Sequence, residues 1–326
     1  MEKETISTFK PDVKDRKILH ELDKDCRQSC SEIGKKVGLS SEVVNYRIKK
    51  LEEEKVITQY QVIVNISKLK IIQFKIALNF QRIDSQKLES MIKKITKIKQ
   101  AIWIAASKGN WDLIISCEAK GLYEVNEINE EILANFGNYI REKAIAVCYK
   151  GEVFNRDYLT EKVSPNRERV IVDNSKEVIL NETEIKIIKS LAENGRKSIV
   201  EIAHEIKESE RIVNYNIKQL EKKQIIIGFR IALDYSKIGI KYYKTFLYLE
   251  NPGQKRVQEL INYFKSNKNI IHNVQVIGNW DFEPEFETYS EQEFDKILND
   301  FKDKFSDIIK RIDIMTVSKE YKANYL

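Results

Sequence analysis

Along residues 40–51 the apolar side chains Val44, Ile48 and Leu51 recur at i, i+4 and i+7, a spacing that lays one apolar stripe along a helix. Val213, Ile217 and Leu220 repeat that spacing far downstream. The neighbouring residues repeat too: Val-Asn-Tyr-Arg-Ile-Lys-Lys-Leu-Glu at 44–52 returns as Val-Asn-Tyr-Asn-Ile-Lys-Gln-Leu-Glu at 213–221. Asn45 and Asn214, like the glycines of Gly109-Asn110-Trp111-Asp112 and Gly278-Asn279-Trp280-Asp281, stand 169 positions apart (214 − 45 and 278 − 109). Solenoid and propeller repeats are shorter, about 20–50 residues. The chain is therefore a tandem of whole units.

Unit one opens with Asp12 as a helix N-cap ahead of Ile18, Leu19 and Leu22 on the inner side. Its copy starts at Asn181, has Glu184 three residues on as in a capping box, and is expected to bury Ile185, Ile188 and Leu191. A short helix over residues 31–37 (198–206 in the copy), a tight turn at Gly38-Leu39 and a third helix from Ser40 or Ser41 complete a helix-turn-helix module. Past Leu51 the pattern turns β-rich over residues 55–64, followed by a turn at 65–70 that is matched at 234–239. The next stretch predicts a strand at 71–80 and an amphipathic helix through Leu88, Met91, Ile92, Ile95 and Ile98. Strands at 101–107 and 111–119 then flank the hairpin 108–110, and a helix at 122–136 and a strand at 143–149 close the unit. That order, β-α-β-β-α-β, is ferredoxin-like, and the copy carries Val257, Leu260, Ile261 and Phe264 on its first helix. Pro284 has no ladder donor, so the second copy of the hairpin's outgoing strand is expected to be an edge strand or broken.

The fold class that follows is α+β, with two tandem units, each a winged-helix-like helix-turn-helix domain followed by a ferredoxin-like βαββαβ domain. The expected boundaries are 1–60, 61–159, a charged linker at 160–176 with a short strand at 170–172, then 177–229 and 230–326. No run approaches the 18 or so apolar residues of a membrane span, and Met1 to Lys10 lacks a signal peptide's apolar stretch, so a cytoplasmic location is expected. Cys26, Cys30, Cys117 and Cys148 lack zinc-ligand spacing and read as reduced and incidental; no metal site follows.

The net charge of +6 is unevenly spread. Residues 1–163 hold 29 Lys and Arg against 24 Asp and Glu (+5), and residues 164–326 hold 27 against 26 (+1). So mild a balance suits a protein in which one face of a small module touches phosphates. Opposite the apolar stripe, the third helix carries Glu42, Asn45, Tyr46 and Lys49, and its copy Arg211, Asn214, Tyr215 and Lys218. Either this is a solvated helix surface or it reads DNA, and its recurrence at one register favours reading. Asn45 then pairs with adenine in a major groove, Arg47, Lys49 and Lys50 contact phosphates, and Ser40 and Ser41 offer hydroxyls and amides at the helix start. Gly109 and Gly278 suit tight turns, while Asp112 and Asp281 either cap those turns or hold an effector's amino group. His20, His204 and His272 are scattered without an acid-base cluster, so no catalytic residues, no cofactor and no enzyme activity are expected.

The helix-turn-helix with Leu-Glu-Glu-Glu-Lys-Val-Ile at 51–57, the linking strand, and the βαββαβ domain with its Gly-x-aromatic-Asp hairpin together resemble the Lrp/AsnC (feast/famine) transcription regulators, here duplicated in one chain. The resemblance implies double-stranded DNA as partner. It also implies an amino-acid-like effector sensed by the ferredoxin-like domains, with Gly109, Asp112, Gly278 and Asp281 as candidate contacts, and assembly through those domains. A tandem chain would fold as its own pseudo-dimer and could assemble further as a homo-oligomer. Tyr46 and Tyr215 stand where the family's reading helices often carry arginine. Unit two replaces Gly38-Leu39 by Lys207-Glu208 and adds Glu210, whose charge repels phosphate, so the second reader is expected to bind more weakly. Two alternatives share the architecture: a siroheme-decarboxylase-like enzyme, and a ligand-sensing or structural protein whose DNA binding has decayed.

Overall fold

The computed structural model describes residues 9–323; most of the N-terminal stretch read above lies outside the described residues. Unit one begins with α1 (Val13–Lys24), α2 (Cys30–Val37) and α3 (Ser41–Glu53). Asp12 and Ser29 cap the first two helices, each in a reciprocal box with the residue at the third helical position, and Ser40 caps α3. Each such cap contributes about 1 kcal/mol by satisfying amides that no helical carbonyl can reach. Strand β1 (Ile57–Val64) follows, then β2 (Ile72–Phe80), α4 (Ser85–Ile95), β3 (Ala101–Lys108), β4 (Leu113–Ala119), α5 (Leu122–Phe136), β5 (Ile140–Phe154) and β6 (Glu168–Val172). Unit two repeats the order as α6 (Glu182–Glu193), α7 (Ile199–Ile206), α8 (Glu210–Lys222), β7 (Ile226–Leu233), the single turn α9 (Tyr235–Ile238), β8 (Lys241–Leu249), α10 (Gln254–Ser266), β9 (Ile270–Gly278), β10 (Phe282–Thr288), α11 (Glu291–Lys304) and β11 (Ile309–Ala323).

The linking strands do not act as separate wings. β1 and β7 pair antiparallel into a two-stranded ribbon shared by both units, and the expected boundary at residue 60 falls inside it. Val62 and Val64 from the ribbon, with Phe229 and Ile231, join Ile18, Leu22 and Leu51 to Ile187, Leu191 and Leu220 in a single hydrophobic core. The two helix-turn-helix modules are therefore one packed body. Ile185, expected in that core, is 41% exposed, and Ile187 takes its place. At the C-terminal end of α7, Lys207 keeps the left-handed backbone (φ 60°) that Gly38 (φ 68°) adopts after α2, so the turn survives the loss of its glycine.

In each unit the four ferredoxin strands run fourth-first-third-second, as β5-β2-β4-β3 and β11-β8-β10-β9. The closing strands are longer than the pattern suggested, because each serves both sheets. The first half of β5 pairs with β2 and its second half with β9; β11 pairs with β8 and then with β3. Eight strands thereby close into a barrel with β6 added beside the end of β5. Closure leaves few unpaired ladder groups, which is how such sheets avoid edge association. Helices α4 and α5 cover the outer face of one sheet, and α10 and α11 that of the other. The interior is filled by Trp111, Trp280, Phe246 and small side chains such as Ala77, Ala105 and Ala146.

Pro284 departs from the expectation of an edge. β10 lies between β8 and β9, and Pro284 faces Asn273 on β9; the ladder to β8 lapses at Glu283 and Pro284, where the missing donor falls. There the Thr245 hydroxyl donates to the Pro284 carbonyl at 3.1 Å.

Candidate nucleic-acid interface and the cavity behind it

The stripes of α3 and α8 are buried as their spacing requires: Val44, Ile48 and Leu51, and Val213, Ile217 and Leu220. On the outward face of α3, Asn45, Tyr46, Lys49 and Lys50 are exposed, Tyr46 at 66%. Lys50 also sits 5.5 Å from the Phe9 ring. Ser40 accepts from the Val43 amide, so its hydroxyl is engaged as a cap, and Ser41 is half-buried on the first turn. On α8, Arg211, Tyr215 and Lys218 are exposed and Asn214 is half-buried.

Arg47 is occupied otherwise than expected. Its guanidinium reaches Asp12 at 2.8 Å and Asp15 at 2.7 Å, clamping α3 to the start of α1, and it cannot serve phosphate without breaking those pairs. Unit two has Asn216 here, buried and donating to the Ile212 carbonyl, and anchors its reader instead through Lys223 to Glu184 at 2.6 Å.

The four hairpin residues read as effector contacts lie at the seam between units. A side chain on Gly109 would stand 2.4 Å from the Ile314 carbonyl of β11, and one on Gly278 2.4 Å from the Ile145 carbonyl of β5. The glycines are there because the opposite unit's long strand passes too close for any Cβ. Asp112 accepts from the Phe80 amide and Asp281 from the Leu249 amide, both at 2.7 Å, so each carboxylate caps the end of its unit's first ferredoxin strand. Trp111 and Trp280 meet at 6.3 Å inside the barrel. None of the four lines the principal cavity.

That cavity, about 730 Å³, lies between the β1–β7 ribbon and one end of the barrel. No local sequence signal marks it, because its walls come from strands of both units. Its half facing unit two is lined by a network of paired charges. Lys244 lies 2.9 Å from Glu283 and also pairs with Glu285, His272 is 3.6 Å from Glu285, and Glu283 is shared with Lys75. Burial works against these charges, but the two lysines hold Glu283 and Glu285 low, and the two carboxylates keep Lys244 protonated. Arg156, after β5, reaches Glu287 at 2.9 Å and Asp23 at 2.5 Å; Arg230 on the ribbon reaches Asp23 at 2.9 Å. Burial would raise the Asp23 carboxyl, and the two guanidiniums overcome it, leaving Asp23 well below the usual carboxylate range. Asp23 ends α1, so this network joins the cavity wall to the first reader's scaffold. Two histidines have acidic neighbours after all, His272 beside Glu285 and His20 bound to Asp157 at 2.9 Å, while His204 is exposed.

The profile for winged helix-turn-helix DNA-binding domains matches residues 11–58 and again 180–227. The chain is 30% identical over 115 residues to an uncharacterized HTH-type transcriptional regulator of Pyrococcus abyssi, covering 35% of this chain and 77% of that protein. It is 31% identical over 104 residues to the HTH-type transcriptional regulator Ptr1 of Methanocaldococcus jannaschii, covering 32% and 68%. Among solved structures, that of the siroheme decarboxylase NirDL superposes with a TM-score of 0.62 at 13% identity, over 96% of this chain and 94% of that one, a likeness of fold. Fold and matches together define a tandem winged helix-turn-helix transcription regulator. The chain belongs to the Lrp/AsnC family. No helix among the described residues is long and apolar enough to cross a membrane.

Proposed function

We propose that the chain binds DNA sequence-specifically through α3 and α8 together, and that its ferredoxin-like barrel holds a small effector. The observation that carries this reading is the exposed Asn-Tyr-Lys face of α3, whose residue types recur on α8 with Asn214 half-buried, both helices being fixed to the same ribbon and core. In a major groove Asn45 would pair with adenine, a contact contributing about 1–3 kcal/mol of base discrimination. Lys49 and Lys50 would contact phosphates. The barrel is then a non-catalytic support and sensor, coupled to the first reader through Asp23 and Arg156.

The test is fluorescence anisotropy of the purified chain on a duplex from its own upstream region and on an unrelated duplex, each across a salt series. A preference for the former that disappears in Asn45→Ala, with log affinity falling linearly against log salt, is the expected result. Equal and negligible affinity for both at low salt would refute it.

A second reading, an enzyme of the siroheme-decarboxylase kind, is favoured by the whole-chain likeness to NirDL, another of whose structures holds an iron-uroporphyrin III analogue, and by the cavity with its His272–Glu285 pair. Against it, Lys75, Lys244, Arg156 and Arg230, the lysines and arginines on the cavity wall, are each already paired to a carboxylate, which leaves no free cation on that wall among the described residues for a polycarboxylate. An absorbance titration with an iron porphyrin separates the readings.

A further inference from the structure

The two halves of the cavity are built from equivalent strands, and the 169-residue offset matches Tyr235, Tyr242, Glu285 and Glu287 of one half with positions 66, 73, 116 and 118 of the other. In unit two these positions have partners. Tyr235 and Tyr242 stack at 5.5 Å, Glu285 pairs with Lys244, and Glu287 takes Arg156 together with the Tyr158 hydroxyl at 2.5 Å. The unit-one counterparts are Ile66, Gln73, Ser116 and Glu118, and they leave this half open. On the inner face of the sheet Gln73 faces Glu118 across the β2–β4 ladder, and Ser116 lies between Lys75 and Trp103. Ser116 is only 4% exposed and borders the cavity, yet its hydroxyl has no hydrogen-bond partner among the described residues; the Gln73 amide and both Glu118 carboxylate oxygens have none either. Gln73 and Glu118 are half-buried, and polar groups that border a space of ligand size without protein partners are available to an occupant.

The chemistry of that occupant follows from what is paired and what is not. The lysines and arginines on the wall are matched by carboxylates, whereas the Glu118 carboxylate, with burial pushing its pKa up to about 7, is matched by nothing. Trp103, whose Nε1 donates to Glu320 at 2.6 Å, gives the same half an aromatic wall and a second carboxylate, and Ile66 and Ile102 give it apolar ones. We infer that the unit-one half of the cavity binds a small organic amine that carries no carboxylate, its ammonium on Glu118 with Ser116 and Gln73, and its apolar body against Trp103. This deepens the reading of the barrel as effector-holding, and it is tested without DNA, so a failure here leaves the DNA-binding result untouched.

The test is isothermal calorimetry and thermal shift on the full chain with phenethylamine, agmatine and putrescine, and with phenylalanine and arginine as carboxylate-bearing matches of the first two. Expected are saturable binding of at least one amine, weaker binding of its carboxylate-bearing match where it has one, and a loss of about tenfold or more in Glu118→Gln, the range set by removing a charged hydrogen-bond partner. Glu118→Gln should fold at least as stably as the parent, and Ser116→Ala provides a second variant with a smaller loss. Three outcomes would each overturn the inference: no binding by any amine, an amino acid bound as tightly as its amine, or amine binding undiminished in Glu118→Gln.

Discussion

Glu118 and Arg47 both look like surface charges in the sequence, and their surroundings give them opposite roles. A glutamate in an unfolded chain titrates near pH 4.3 or so, whereas Glu118 in the fold titrates at about 7 because burial disfavours its charge. Between those values the folded state binds more protons than the unfolded one. Stability therefore falls as pH rises through this window, and the full loss is in place above pH 7. Glu118→Gln is expected to raise unfolding free energy by about 1–3 kcal/mol at pH 8 and to change it little at pH 4, measured by urea denaturation at both values. A gain of equal size at both would place the cause elsewhere. Arg47, tied to Asp12 and Asp15, should behave as a structural residue when it is removed. Lys49→Ala is expected to lower the slope of log affinity against log salt by about one phosphate contact, while Arg47→Ala lowers the melting temperature and leaves that slope unchanged. A reduced slope in Arg47→Ala would return Arg47 to the DNA-contacting set.

At the scale of elements, legibility followed how local each signal was. The helix-turn-helix helices were readable to within a residue or so, because caps and a 3.6-residue period are written in adjacent positions: Asp12, Ser40 and Asn181 cap where expected. The ferredoxin order was readable for the same reason. The double length of β5 and β11 was not, since their outer halves are strands only because the other unit pairs with them, as residues 316–323 do with β3. The hairpin glycines and aspartates were visible as a motif, but their purpose was hidden in the same way, as the backbone they approach belongs to the opposite unit. Gly109 has φ near 140° and no room for a Cβ, so Gly109→Ala should cost about 1–3 kcal/mol in strain and displacement of β11. Thermal denaturation reads this cost. An unchanged melting temperature would mean that the seam is looser than the 2.4 Å approach implies.

At the scale of the whole molecule, the duplication makes two readers that are held together and are unlike each other. Because the ribbon and both helix-turn-helix modules share one core, α3 and α8 are fixed in mutual position. A palindromic site is what identical readers would require, and these have diverged: Ser41, Arg47 and Lys50 on α3 correspond to Glu210, Asn216 and Gln219 on α8. Glu210 opposes phosphate at the start of α8, and Asn214 is half-buried where Asn45 is exposed. A single chain should therefore recognise a site with polarity, a strong half under α3 and a weaker half under α8. On a selected duplex, Asn45→Ala is expected to cost about 1–3 kcal/mol and Asn214→Ala less, with the base preferences lost by the two variants falling in different half-sites. Anisotropy on duplexes that carry the strong half twice, the weak half twice, and each half once separates the cases. If both substitutions cost the same on every duplex, the readers are equivalent and the divergence along α8 lies outside the DNA contact.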